Sequence, residues 1–249
     1  HESLEAGGER SPRQIVVRVL RGLLLATLKD SGNINPLPDD FKDIKELAKL
    51  EIDNDHSEQL RLQFLYAGAL PTSLLLYAAY ENDPLGMDAL RFAVLMMRRT
   101  ASETSKHQDI MHEFLDSNSS VPFFKRVTTI VSEVTNRVRE AWLQHNYRNI
   151  ITAEAMMEMK FLLELLRMCC LSKHSGNQNL LREKIADDNT PFRVMEGLSA
   201  LFEALAHTCD QTVAEPEKCE SQMTLAEDLS AALEDMVVGP CMPNQHFMA

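Results

Sequence analysis

The chain has 249 residues, of which 45% are hydrophobic, 6% aromatic and 25% charged, with a net charge of −12. That length can bury a large core, and the acidic balance argues against a nucleic-acid partner. Strand formers are sparse while Leu, Ala, Met and Glu abound, so the expected fold is all-α with no sheet.

The first ten residues, rich in Gly and Glu, read as a disordered start (1–10). Ser11-Pro12-Arg13-Gln14 is a helix start, and Ile15, Val16, Val19, Leu20, Leu23 and Leu24 fall on one face at helical spacing. A loop with two prolines follows, then an amphipathic helix over Asp40–Ile52 and another near Ser57–Ala67 that leads to Gly68. Further helices are expected over Thr72–Glu81, from Asp83-Pro84 to Arg99, and over Ser105–Leu115. Ser120 is placed to cap the longest, Val121–Asn149, with Phe124, Val127, Ile130, Val131, Val134, Val138 and Leu143 inward. The Thr152–Leu171 segment is apolar nearly all round and should be central. A short helix over Asn177–Ala186 and a longer one over Phe192–Cys209 precede an acidic flexible linker, 211–223. Thr224–Val238 is the last complete helix, and 224–249 reads as a helix hairpin continuing beyond Ala249. About eleven helices joined by short loops favour an armadillo-like solenoid over residues 11–210.

Catalytic and metal signatures are weak. His107 and His112 stand five apart, which turns the second ring about 140° from the first, so both read as surface histidines. Ser172-Lys173-His174-Ser175 has no acid at a meaningful spacing and reads as a loop. Arg98-Arg99, Lys125-Arg126 and Arg137 with Arg139 read as solvated helix faces rather than an anion site. No phosphate-binding glycine loop or nucleophile elbow occurs, so an enzyme is not expected. Cys169, Cys170, Cys209, Cys219 and Cys241 are odd in number and lack C-x-x-C spacing. They are expected as reduced thiols, with Cys169 and Cys170 buried on their apolar helix. No stretch approaches 18 consecutive apolar residues, so direct membrane insertion of this segment is not expected.

Two stretches echo each other at a separation of 67 residues: Ser175-Gly176-Asn177-Gln178-Asn179-Leu180-Leu181 and, after Val238-Gly239-Pro240-Cys241-Met242-Pro243, Asn244-Gln245-His246-Phe247-Met248. Each follows an apolar helix that stops at a Gly-containing loop, and each Asn is expected to cap the next helix. Gly-Pro-Cys-x-x-Asn-Gln after Leu233-Glu234-Asp235-Met236-Val237-Val238 resembles the RIH-associated domain of inositol trisphosphate and ryanodine receptors, closest to the inositol trisphosphate receptor type. The likeness extends in order through Ala89–Leu95, Gln108–Phe114, Val121–Val127 and Lys160–Asp210, about two-thirds of the chain, and is weaker before Ser73. The acidic stretch 211–223 departs from it, lacking the glycine-rich segment of the family.

The resemblance implies a non-catalytic cytoplasmic scaffold and signal-coupling module of a calcium-release channel at the endoplasmic reticulum or a related calcium store. Its partners would be other domains or subunits of the same channel, itself a homotetramer. It implies no cofactor, with calcium as a possible regulatory ligand of the larger assembly. In Arg193-Val194-Met195-Glu196-Gly197-Leu198, Glu196 matches a family Glu that contributes to a regulatory calcium site completed outside this chain. Calcium takes six to eight oxygens, so by its own chemistry Glu196 reads first as an exposed or capping carboxylate; if the resemblance carries function, it is expected to be free of an Arg or Lys clamp. The alternative function is a soluble armadillo-like adaptor that binds a partner helix or peptide in its groove.

Overall fold

The computed structural model describes residues 17, 55–81, 83–97, 106–144, 150–211 and 220–238. Among them lie nine helices: α1 (Asp55–Tyr66), α2 (Ala69–Ala79), α3 (Pro84–Met97), α4 (Lys106–Asp116), α5 (Val121–Leu143), α6 (Ala153–Cys170), α7 (Ser175–Arg182), α8 (Val194–Gln211) and α9 (Glu220–Val237). The expected disordered start, the two helices before residue 53 and the Asn244-Gln245 segment lie outside the described residues. Val17, outside the apolar face expected for its helix, is helical and buried.

Helix boundaries follow local chemistry. Gly68, at φ 77, turns the chain between α1 and α2 in a conformation that costs other residues more. Asp83 accepts the Leu85 N–H at 2.7 Å ahead of Pro84, which starts α3. Thr152 caps α6 by accepting the Ala155 N–H at 3.2 Å. Ser120 does not cap α5. It lies in a 3-10 turn (Asn118–Ser120), and its hydroxyl donates to the Leu115 and Ser117 carbonyls, satisfying the end of α4 instead.

The helices pack as three consecutive sets of three, α1–α3, α4–α6 and α7–α9, and in the last two sets a short helix precedes two long ones. Equivalent helices of successive sets neighbour each other, giving the columns α1·α4·α7, α2·α5·α8 and α3·α6·α9. In the last two sets the buried positions keep one register. Val127, Val131, Val134 and Val138 of α5 recur 67 positions later as Val194, Leu198, Leu201 and Leu205 of α8. Leu162, Leu166 and Cys169 of α6 recur at the same interval as Leu229, Leu233 and Met236 of α9. As expected, α6 is central, between α3 and α9, and Cys169 and Cys170 are buried thiols. One continuous core runs through all three sets, each fully buried Leu or Phe contributing about 1.5–3 kcal/mol. Leu143, expected inward, is 68% exposed at the end of α5.

A small sheet corrects the expectation of none. Lys184–Ile185 (β1) pairs antiparallel with Pro191–Phe192 (β2), in the register Lys184 with Phe192 and Ile185 with Pro191. Tertiary contacts explain why α7 stops early: the Lys184 ammonium donates to the Asp116 carbonyl at the end of α4, and Phe192 stacks on Phe124 at 6.1 Å. Asn189, at φ 61, makes the turn. The acidic linker is also shorter than expected, because residues 220–223 already belong to α9. Among the described residues no single helix is long and apolar enough to cross a membrane. The segment Gln59–Tyr66 with α2 would qualify only as a pair bent by 65°.

Gly86 sets the entry of α3. A Cβ there would sit 2.3 Å from the Tyr80 carbonyl oxygen. Ala normally favours a helix interior over Gly by about 1 kcal/mol. Here Gly86→Ala is expected to destabilise instead, by about 1–3 kcal/mol, because backbone must shift to admit the methyl. A urea midpoint equal to or above that of the parent chain would show that the turn relaxes freely.

Candidate functional site at the joints between helices

The first joint is ionic. Arg126 of α5 is only 6% exposed. Its guanidinium reaches the Glu158 carboxylate of α6 at 2.7 Å and the Glu81 carboxylate after α2, and Tyr77 of α2 donates its hydroxyl to the same Glu158 oxygen at 2.7 Å. The Arg126 side chain also lies over the Tyr77 ring, 5.8 Å from its centre. Three helices from two sets therefore meet on one carboxylate. Burial, then the Glu158 charge, holds the Tyr77 phenol well above its ordinary range. Burial works against the Arg126 charge, yet the Glu158 carboxylate outweighs it and raises its pKa. The sequence reading of Arg126 as a solvated helix face is corrected. Alternation on α5 puts Lys125 in solvent and Arg126 inside, and only the partner carboxylates 32 and 45 positions away make that burial tolerable.

A cleft of about 390 Å³ opens above this joint, lined by Tyr77, Arg91, Arg126, Glu154 and Glu158 among others. Arg91 faces Asp88 at 3.4 Å and donates to the Met157 sulfur at 2.9 Å. Both guanidiniums of the cleft are thus matched by its own side chains. The cleft reads as the rim of a joint rather than a ligand site.

The second joint is built from amides. Gln108 of α4 donates to the Met168 carbonyl at 3.1 Å, the Cys169 carbonyl at 3.3 Å and the Leu171 carbonyl at 2.5 Å, closing the C-terminus of α6. Gln178 of α7 donates to the Asp235 carbonyl at 2.9 Å and the Val238 carbonyl at 3.0 Å, closing the C-terminus of α9. Met168 and Leu171 stand 67 positions before Asp235 and Val238, so the acceptors are equivalent in the two sets. The last carbonyls of a helix have no intrahelical partner, and here a neighbouring helix supplies one. Arg167 of α6 adds a surface link to Asp235 of α9 at 2.7 Å.

Asn177 does not cap α7, as the sequence suggested. His174 does, its Nδ1 accepting the Asn177 N–H at 3.1 Å. Asn177 is fully buried and ties three elements: its amide donates to the Cys169 carbonyl at 3.0 Å and the Gln108 carbonyl at 3.4 Å, while its oxygen meets His112 Nδ1 at 3.1 Å. His174 in turn has the acid its local sequence lacks. With Nδ1 accepting, the ring proton sits on Nε2, 3.3 Å from Asp109 of α4. His107 is buried rather than at the surface, and His112 is half-buried with its ring 5.4 Å from that of His174. Burial of Asn177, Gln178 and Gln108 had no local signal beyond the Asn-Gln echo, since polar residues on a short helix normally face water.

Glu196 lies in the first turn of α8, and its side chain is 57% exposed. The expectation that it is free of an arginine is corrected: Arg193 Nη1 stands 3.6 Å away. Arg193 also meets Glu183 at 3.2 Å, and all three side chains are more than a third exposed, so these pairs are weak. Among the described residues no group of three or more His, Cys, Asp and Glu side chains could hold a metal ion. Comparison with protein-family models, curated proteins and solved structures finds no match to this chain.

Proposed function

We propose that this chain is a non-catalytic helical scaffold and coupling module, an armadillo-like solenoid of the kind found in the cytoplasmic assembly of inositol trisphosphate and ryanodine receptor-type calcium-release channels. The observation that carries the reading is the stacking of three consecutive helix sets, in the last two of which an amide from the short helix closes the last long helix of its set. Such sets move as rigid bodies, and small shifts at their joints carry a rotation over distance. The channel assignment itself rests on the Gly-Pro-Cys-x-x-Asn-Gln likeness described above. A channel subunit must add apolar runs of about 20 residues elsewhere in the same polypeptide, which the longer sequence would reveal or refute.

Under this reading Glu196 contributes one carboxylate to a calcium site that other segments complete. Calcium titration of the 249-residue chain is expected to show no difference between the parent and Glu196→Gln, because one exposed carboxylate beside Arg193 supplies too few oxygens. In the longer assembly Glu196→Gln should weaken calcium binding. An unchanged calcium titration of that assembly would remove Glu196 from the site and leave the scaffold reading alone.

A further inference from the structure

We propose that the crevice between α5 and α8 is a docking site for an acidic side chain, Asp or Glu, presented by an extended partner segment. The crevice encloses about 220 Å³. Its α5 wall carries Ser132, Asn136 and Arg139, and the facing wall carries Gly197 and Ala200 of α8 with Arg193 just before that helix. Both walls therefore present a guanidinium, and among the described residues no carboxylate lines the crevice itself, while Glu183 and Glu196 pair with Arg193 at its rim. In a chain with a net charge of −12, Arg139 stands out as a crevice guanidinium that makes no ion pair among the described residues.

The donors are available. Ser132, Asn136 and Arg139 follow one another at helical spacing along one face of α5, and their side chains make no hydrogen bond or ion pair among the described residues. Thr128 and Thr135, which also line the crevice, instead return their hydroxyls to their own helix, at 3.0 Å to the Phe124 carbonyl and 2.7 Å to the Val131 carbonyl. Arg193 is held at the rim only by the weak pairs to Glu183 and Glu196, which an incoming carboxylate can replace. A guanidinium fork donates two parallel hydrogen bonds to a carboxylate.

Size selects the occupant. Small-molecule pockets usually exceed about 300 Å³, so this crevice suits one side chain rather than a whole metabolite. Its floor is closed by the helix crossing, where a Cβ on Gly197 would lie 3.2 Å from Val131 Cγ1. The rest of the bound segment would lie along the two helices. The inference stands independently of the channel reading, because it uses only these walls.

The test is fluorescence anisotropy with a labelled six-glutamate peptide, and six-glutamine and six-lysine peptides as controls, on the whole chain. The glutamate peptide should bind and the glutamine peptide should not, with affinity falling as salt rises. Arg139→Gln and Arg193→Gln should each raise Kd by about tenfold. Arg137→Gln, an exposed α5 change outside the crevice, should leave it unchanged. Absence of glutamate-peptide binding at millimolar protein, or equal loss in Arg137→Gln and Arg139→Gln, would overturn the proposal. All three arginines are exposed or rim residues, so a matched circular dichroism spectrum removes misfolding as an explanation.

Discussion

Arg126→Met is expected to destabilise the chain by about 3 kcal/mol, measured as a fall in urea midpoint at constant slope. The substitution keeps much of the volume and removes the charge, leaving the Glu158 carboxylate without its guanidinium in a site that is largely out of water. The value sits at the low end of the range for breaking buried pairs because Glu81 is half in solvent and loses little. A second change separates the charge effect from packing: Glu158→Gln in the Arg126→Met background should restore more than half of the loss. The amide is neutral and its oxygen still accepts the Tyr77 hydroxyl. Failure of the double variant to recover would mean that packing, not the orphaned carboxylate, sets the cost. The same joint predicts an alkaline signature. Tyr77 titrates higher in the folded chain, so that chain keeps a proton the unfolded chain loses above about pH 10. The resulting stability is complete below that pH and is lost as pH rises towards the folded-state pKa. Tyr77→Phe should remove that part of the alkaline loss.

Gln178→Leu should cost about 1–3 kcal/mol, although leucine is the more apolar residue and the site is buried. The Asp235 and Val238 carbonyls lose their donor, and a helix end buried without partners carries the desolvation penalty of each orphan group. Hydrogen exchange distinguishes this from general loosening. The last turn of α9 should exchange faster while α3 and α5 keep their protection relative to the parent. Gln108→Leu should move the same effect to the end of α6. Uniform acceleration across the chain would show that the amide acts on global stability and closes no particular helix.

Periodicity by itself placed most of the helices, whereas two of the expected caps, Ser120 and Asn177, bond elsewhere. Thr152 and Asp83-Pro84 stand where α6 and α3 begin, α2 begins at Ala69 rather than at the expected Thr72, and all four valines assigned to the inner face of α5 are buried. These are local properties, since a 3.6-residue repeat and a capping side chain act within one or two turns. The burial of Cys169 and Cys170 follows from the same apolar run. Tertiary structure decided the rest. Whether Arg126 faces water depends on Glu158 and Glu81, and whether His174 has an acid depends on Asp109, 65 positions away. The Lys184–Ile185 strand forms because Lys184 reaches the end of α4, which no reading of its neighbours could supply. The Asn-Gln echo shows the division most sharply. Its spacing was visible in the chain, but the purpose of Gln178 emerged only where the C-terminus of α9 came to rest against α7, since a buried amide is stable only when a distant backbone offers it carbonyls.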